Sequence, residues 1–216
     1  VLGVRVTSQC PECAVDDEAE EKKKMFLSLL GDSDIPKRFS YSTLDGYETK
    51  SQGQKTALGI ARKYIADFET RKRDGCSLVF CGPPGTGKTH LACAIGKKIM
   101  AEYGDRVRYA QALKIMQRFK ATFARDSREK ESDVLRDYIS PGLLIFDEVG
   151  VQFGTATETM ITYQIVNGRY EDMLPTIMIS NLTEPELCEY IGERAIDRMR
   201  EGGGAVVPFD WESWRK

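Results

Sequence analysis

One stretch constrains this chain more than any other. Gly82-Pro83-Pro84-Gly85-Thr86-Gly87-Lys88-Thr89 matches the pattern G-x-x-x-x-G-K-[ST] at every position. An apolar run, Leu78-Val79-Phe80-Cys81, precedes it, and a helical pattern from Leu91 to Met100 follows. A strand before and a helix after separate a phosphate-binding loop from a chance glycine-rich turn. Glycines let the backbone curl so that successive N–H groups point at phosphate oxygens. The helix that starts there adds its positive dipole end. In such a loop Lys88 neutralises the β- and γ-phosphates of ATP, and Thr89 is a ligand for Mg²⁺.

The rest of the chain repeats that alternation. Apolar strands are expected at Leu78–Cys81, Val107–Ala110, Leu143–Phe146, Thr176–Ile179 and Ala205–Phe209. Helical spacing is expected over about 53–70, from the second strand to about Arg125, over 128–138, from Thr157 to about Tyr170, and over 184–191 and 193–200. Strands alternating with helices predict an α/β fold, a parallel sheet covered on both faces. With 216 residues there is room for one such domain and a short appendage. Residues 1–35 read as a tail carrying a short charged helix that ends at the apolar patch Met25–Leu30, and residues 36–216 as the domain. No secretory pattern opens the chain, and its first residue is Val1 rather than Met, which suggests a trimmed fragment.

Two acids end the third strand, Asp147 and Glu148. A carboxylate there can hold Mg²⁺, directly or through water, and the next acid can polarise an attacking water as general base. The fourth strand ends in Ser180-Asn181. In a parallel sheet Asn181 would sit beside the acids and reach the water or the γ-phosphate; its other reading is a cap for the helix that begins near Glu184. Arg194 and Arg198 share one helical face. They are either a solvated pair or arginines that complete a neighbouring copy's ATP site.

The net charge of −2 argues against a surface that coats nucleic acid and leaves room for a local patch. The helix from Leu113 to Arg125 interleaves Lys114, Arg118, Lys120 and Arg125 with Phe119 and Phe123. That pattern is either a solvated basic face over core phenylalanines or a track for single-stranded DNA. No apolar run approaches the roughly 20 residues of a membrane span. Of six cysteines only Cys10 and Cys13 form a motif. They are half of a zinc site, which needs four ligands, or ordinary reduced thiols. The one histidine, His90, lies at the phosphate loop.

The loop Gly82–His90, the segments Asp147–Gln152 and Ser180-Asn181-Leu182, the run Ile191–Arg200 and the ending Phe209–Arg215 together resemble DnaC-type bacterial and phage helicase loaders. These are AAA+ ATPases related to the IstB type. The similarity covers the chain from about Ile35 onward. It implies a three-layer P-loop NTPase core that lacks a helical lid, and a cytoplasmic ATPase that delivers a DnaB-type hexameric replicative helicase onto single-stranded DNA. It also implies a spiral homo-oligomer and no membrane partner. By position Arg198 matches the family's arginine finger with Arg194 beside it. Arg215 takes a sensor role, and the segment around Phe39 flanks the adenine. Lys120 and Phe123, with Thr155 and Thr157, would meet DNA. Loaders of this type grip the helicase through an N-terminal domain, for which this chain offers only the tail. Two rivals stand beside this reading: an IstB-type transposition helper acting on duplex DNA, and a metabolic P-loop kinase.

Overall fold

The structure, a computed structural model, describes residues 11–150 and 156–214, leaving aside the side chains of 11–17. In chain order come α1 (Pro11–Asp32), α2 (Gln52–Ala66), α3 (Phe68–Arg73), β1 (Leu78–Cys81), α4 (Lys88–Tyr103), β2 (Val107–Gln111), α5 (Ala112–Ala121), α6 (Glu131–Ile139), β3 (Leu143–Val149), α7 (Ala156–Glu171), β4 (Thr176–Ser180), α8 (Glu184–Ile191), α9 (Glu193–Arg200) and β5 (Ala205–Pro208). Among the described residues the strands form one parallel sheet in the order β2-β3-β4-β1-β5.

Alternation along each strand divides the core into two layers, because successive side chains of a strand leave by opposite faces. Leu78, Phe80, Leu143, Ile145, Ile177 and Ile179 join α2 and α4 on one face. Val79, Leu144, Phe146 and Met178 join α5 to α9 on the other. On either side of β4, β1 and β3 therefore send their following helices, α4 and α7, to opposite faces. The crevice beyond the carboxyl ends of strands at such a divide is where open α/β sheets bind ligands.

Four local differences from the sequence reading have physical causes. The helix of the expected tail is 22 residues long, and its last turns belong to the packed molecule: Phe26, Leu29 and Leu30 lie on the core. The segment after it shields the edge strand β2, whose Tyr109 N–H donates to the Ser33 carbonyl at 2.7 Å. Arg108 donates to the Asp32 carbonyl at 2.9 Å and pairs with Asp34 at 2.7 Å. The helix expected over 53–70 breaks at Asp67, which leaves helical geometry between α2 and α3. The helix expected to reach Arg125 stops at Ala121, where the Thr122 hydroxyl turns back onto the Phe119 carbonyl at 2.7 Å. Finally, β3 continues through both acids to Val149, with a register shift against β4 between Phe146 and Val149. Such bulges re-aim side chains next to functional sites.

Candidate functional site

The phosphate loop joins β1 to α4, and its geometry needs its glycines. Gly87 has φ +96°, and a Cβ there would press on the Tyr47 ring at 2.9 Å. At Gly82 (φ +130°) a Cβ would collide with the Phe209 carbonyl. Thr86 Oγ1 donates to the Pro83 carbonyl at 2.9 Å and ties the loop across itself. Lys88 is buried, and its ammonium donates to the carbonyls of Gly82 at 2.5 Å and Pro83 at 2.7 Å. A phosphate entering the loop would exchange those partners for stronger, charged ones.

The outer wall of the loop comes from the far end of the sequence. After β5 the Phe209 N–H donates to the Cys81 carbonyl at 2.7 Å. The Trp211 indole N–H donates to the Thr86 carbonyl at 2.9 Å, and the Trp214 N–H to the Gly85 carbonyl at 2.9 Å. Phe80, Phe209 and Trp211 stack in series at centroid separations of 5.0 and 4.7 Å. The Lys50 ammonium sits 4.2 Å from the centre of the Trp214 ring.

Across the crevice, Asp147 is 4% exposed, and both of its carboxylate oxygens accept hydrogen bonds. Its Oδ2 accepts from Thr89 Oγ1 at 3.0 Å and from the Tyr109 hydroxyl at 2.7 Å, and its Oδ1 from the Glu148 N–H at 2.8 Å. Burial raises the Asp147 pKa above the ordinary carboxylate value, against the pull of the Tyr109 and Thr89 donors. Glu148 is only half-buried, and its proton affinity is raised by burial and then by the Asp147 charge, as suits a general base. Its φ is +61°, in the left-handed region that side chains rarely adopt. The bulge thus gives adjacent acids different surroundings.

Lys88, Thr89, His90, Asp147, Glu148 and Asn181 line one cleft of about 430 Å³, with Phe39, Tyr47 and Trp214 at other parts of its wall. That volume suits a nucleotide, since pockets for ligands of this size span roughly 300–1,000 Å³. The oxygen donors Thr89 Oγ1 and Asp147 carboxylate, brought together across the sequence, fit a hard cation such as Mg²⁺. His90 Nε2 lies 3.0 Å from the Thr43 carbonyl, and its ring leans on Tyr47. Asn181 does not cap the next helix; that position belongs to Thr183, whose N–H and hydroxyl both donate to Glu186 at 2.7 Å.

The other expected residues lie elsewhere. Arg198 is on α9, outside the cleft of its own chain. Its guanidinium bonds to the Tyr163 hydroxyl at 3.1 Å and to Asn167, and lies over the Tyr170 ring at 5.0 Å. Arg194 is exposed on the same helix. In the basic helix Phe119 is core, whereas Phe123 is 61% exposed and meets Phe119 edge-on. Arg118 is committed to Glu129 and Asp137, while Lys120 is exposed and Thr157 half-buried. Cys10, Thr155 and Arg215 lie outside the described residues, as does the side chain of Cys13. Among the described residues no cluster of three or more His, Cys, Asp or Glu is placed to hold a metal, and no helix is long and apolar enough to cross a membrane. Sequence reasoning missed Tyr109, Tyr47, Lys50, Trp211 and Trp214. The tryptophans carried a signal only as part of a resembling ending. A tyrosine in an unremarkable strand carried none.

Comparison with known proteins gives a consistent result. The family described as IstB-like ATP binding protein matches residues 36–199. The chain is 38% identical over 198 residues to the replicative helicase loader DnaC of Escherichia coli K12, covering 92% of this chain and 79% of that one. It is 34% identical over 197 residues to the replicative helicase loader DnaC of Buchnera aphidicola subsp. Acyrthosiphon pisum, covering 91% and 78%. In shape it matches a crystal structure of the DnaC helicase loader with a TM-score of 0.71 over 80% of this chain and 99% of that one, at 24% identity.

Proposed function

The chain belongs to the IstB-like ATP binding proteins and, within reach of them, to the DnaC replicative helicase loaders, and from that premise we infer that it is an ATP-dependent loader of a replicative DNA helicase. One observation carries the nucleotide side of this reading. Thr89 of the phosphate loop and Asp147 of β3 are 58 residues apart, both line the cleft, and they share a hydrogen bond at 3.0 Å.

The division of labour follows from the geometry. Loop amides and Lys88 bind the phosphates. Thr89 and Asp147 would hold Mg²⁺, which supplies neutralising charge at the β- and γ-oxygens. Glu148 takes up a proton from the attacking water, and Asn181 orients that water or the γ-phosphate from the end of β4. The site works as a switch: bound ATP orders the subunit interface, and its hydrolysis lets the loader leave. Arg198 completes the site of a neighbouring copy in a spiral homo-oligomer, with Arg194 beside it, and Arg215 senses the γ-phosphate. Single-stranded DNA runs along Lys120 and Phe123, with Thr155 and Thr157 at its margin. The partner is a hexameric helicase of the DnaB type in the cytoplasm. Zinc at Cys10 and Cys13 forms no part of this reading.

Native mass spectrometry tests it. The chain, and a version extended to its natural start, are mixed with the replicative helicase of the same source, ATP and a single-stranded oligonucleotide. A stoichiometric loader–helicase complex is expected. No complex with either version, together with binding to duplex DNA, would shift the reading to a transposition helper.

A further inference from the structure

A buried hydrogen bond from an edge strand reaches the centre of the nucleotide site. Tyr109 is 4% exposed and sits on β2, one strand out from the acids. Its hydroxyl meets Asp147 Oδ2 at 2.7 Å, a short, charge-assisted contact. A carboxylate offers about four lone-pair positions. In Asp147 three are filled, two on Oδ2 by Tyr109 and Thr89 and one on Oδ1 by the Glu148 N–H. Donors on both oxygens fix the rotation of the carboxylate about its Cβ–Cγ bond. The one position left is on Oδ1.

We propose that Tyr109 is a positioning residue: its hydroxyl locks the Asp147 carboxylate in the rotation that grips the Thr89 hydroxyl and presents the remaining lone pair to Mg²⁺ or to a water bound on it. This role of Tyr109 rests on the nucleotide-site reading above and deepens it. Without the Tyr109 hydroxyl, Asp147 Oδ2 keeps only the Thr89 donor, which must also serve the cation, and the buried carboxylate is free to turn. The backbone keeps the hydroxyl in reach, because Tyr109 pairs with Ile145 of β3, two residues before Asp147, and the parallel pairing continues through Ala110 with Phe146 and Gln111 with Asp147. Partners that orient a metal's ligands affect metal affinity by about 10–100-fold when removed.

Tyr109→Phe removes the hydroxyl and keeps the ring. The readout is binding of a fluorescent ATP analogue as Mg²⁺ is titrated, beside the same binding in EDTA. For Y109F we expect the Mg²⁺ concentration at half-effect to rise about 10–100-fold, with metal-free affinity unchanged. A role in packing alone would move both together and overturn the proposal, as would an unshifted Mg²⁺ titration. Asp147→Asn supplies the second arm. If Tyr109 acts through Asp147, adding Y109F to D147N produces no further shift; an additive shift would overturn the proposal. Failure of the underlying site reading looks different, since the unmodified chain would then bind the analogue with no Mg²⁺ dependence.

Discussion

Glu148 is a glutamate held at φ +61° in a bulged strand, beside a buried acid whose charge it must tolerate. A non-glycine residue there costs about 1–3 kcal/mol and persists only when its surroundings hold it. The arrangement makes sense if the carboxylate is needed where the bulge aims it. Glu148→Gln should bind ATP normally and hydrolyse it about 10²–10⁴-fold more slowly, as measured by single-turnover phosphate release. Glu148→Asn should lose hydrolysis in the same way yet melt about 2–4 °C higher, since asparagine tolerates this backbone better. A lower melting temperature would mean that the strain argument is wrong. At this scale the sequence was informative where residues adjoin. Lys88 and Thr89 are spaced by the chemistry of one loop, and Asp147 and Glu148 are neighbours at a strand end. It was silent on Tyr47, which lines the cleft only because of a distant turn, and on Tyr109, which meets Asp147 only because of strand order.

Elements were legible in kind and less so in extent. Each expected strand begins at the residue where the structure starts it, because buried parallel strands need continuous apolar runs between polar breaks. The helix over 53–70 breaks at Asp67, whose backbone leaves helical geometry without a side-chain cap, and the one expected to reach Arg125 stops at Ala121, where the Thr122 hydroxyl bonds back to the Phe119 carbonyl. The exposed Phe123 lies in the turns just beyond α5, beside Lys120. Phe123→Ala should weaken single-stranded DNA binding by about 1–3 kcal/mol if a base stacks on the ring. Fluorescence anisotropy with a labelled oligonucleotide would show it, and unchanged affinity would take the DNA track off this helix. On α7, Arg169 is 1% exposed and closes no salt bridge among the described residues, with Asp172 acting on its charge only through space. It donates instead to the Thr176 hydroxyl and to the carbonyls of Tyr138, Ile139, Pro141 and Pro175 at 2.5–3.1 Å. It thereby pins the end of α6 and the entries to β3 and β4. Arg169→Met should orphan those carbonyls and cost about 3–5 kcal/mol in urea denaturation; a change below about 1 kcal/mol would mean water replaces the arginine at little penalty.

At the scale of the whole molecule, the cleft and Arg198 lie on different parts of one chain. The guanidinium is stowed against Tyr163, Asn167 and Tyr170. Arg198→Ala should therefore leave ATP binding intact and lower hydrolysis about 10³-fold under conditions that favour assembly. Normal hydrolysis by the assembled variant would place the finger elsewhere. The sheet order carries a further consequence, for how the molecule is made. β1 bears the phosphate loop and is synthesised first of the strands, yet both its partners, β4 and β5, come about a hundred or more residues later. A nascent chain leaving the ribosome must carry β1 with two bare edges until Thr176 to Pro208 have emerged, and pairings this distant in sequence form slowly. Edges of this kind invite mispairing, so a chain halted before β4 should be a client for chaperones. Ability to hold ATP would then be a late reward of synthesis, a sign that the sheet has closed around its oldest strand.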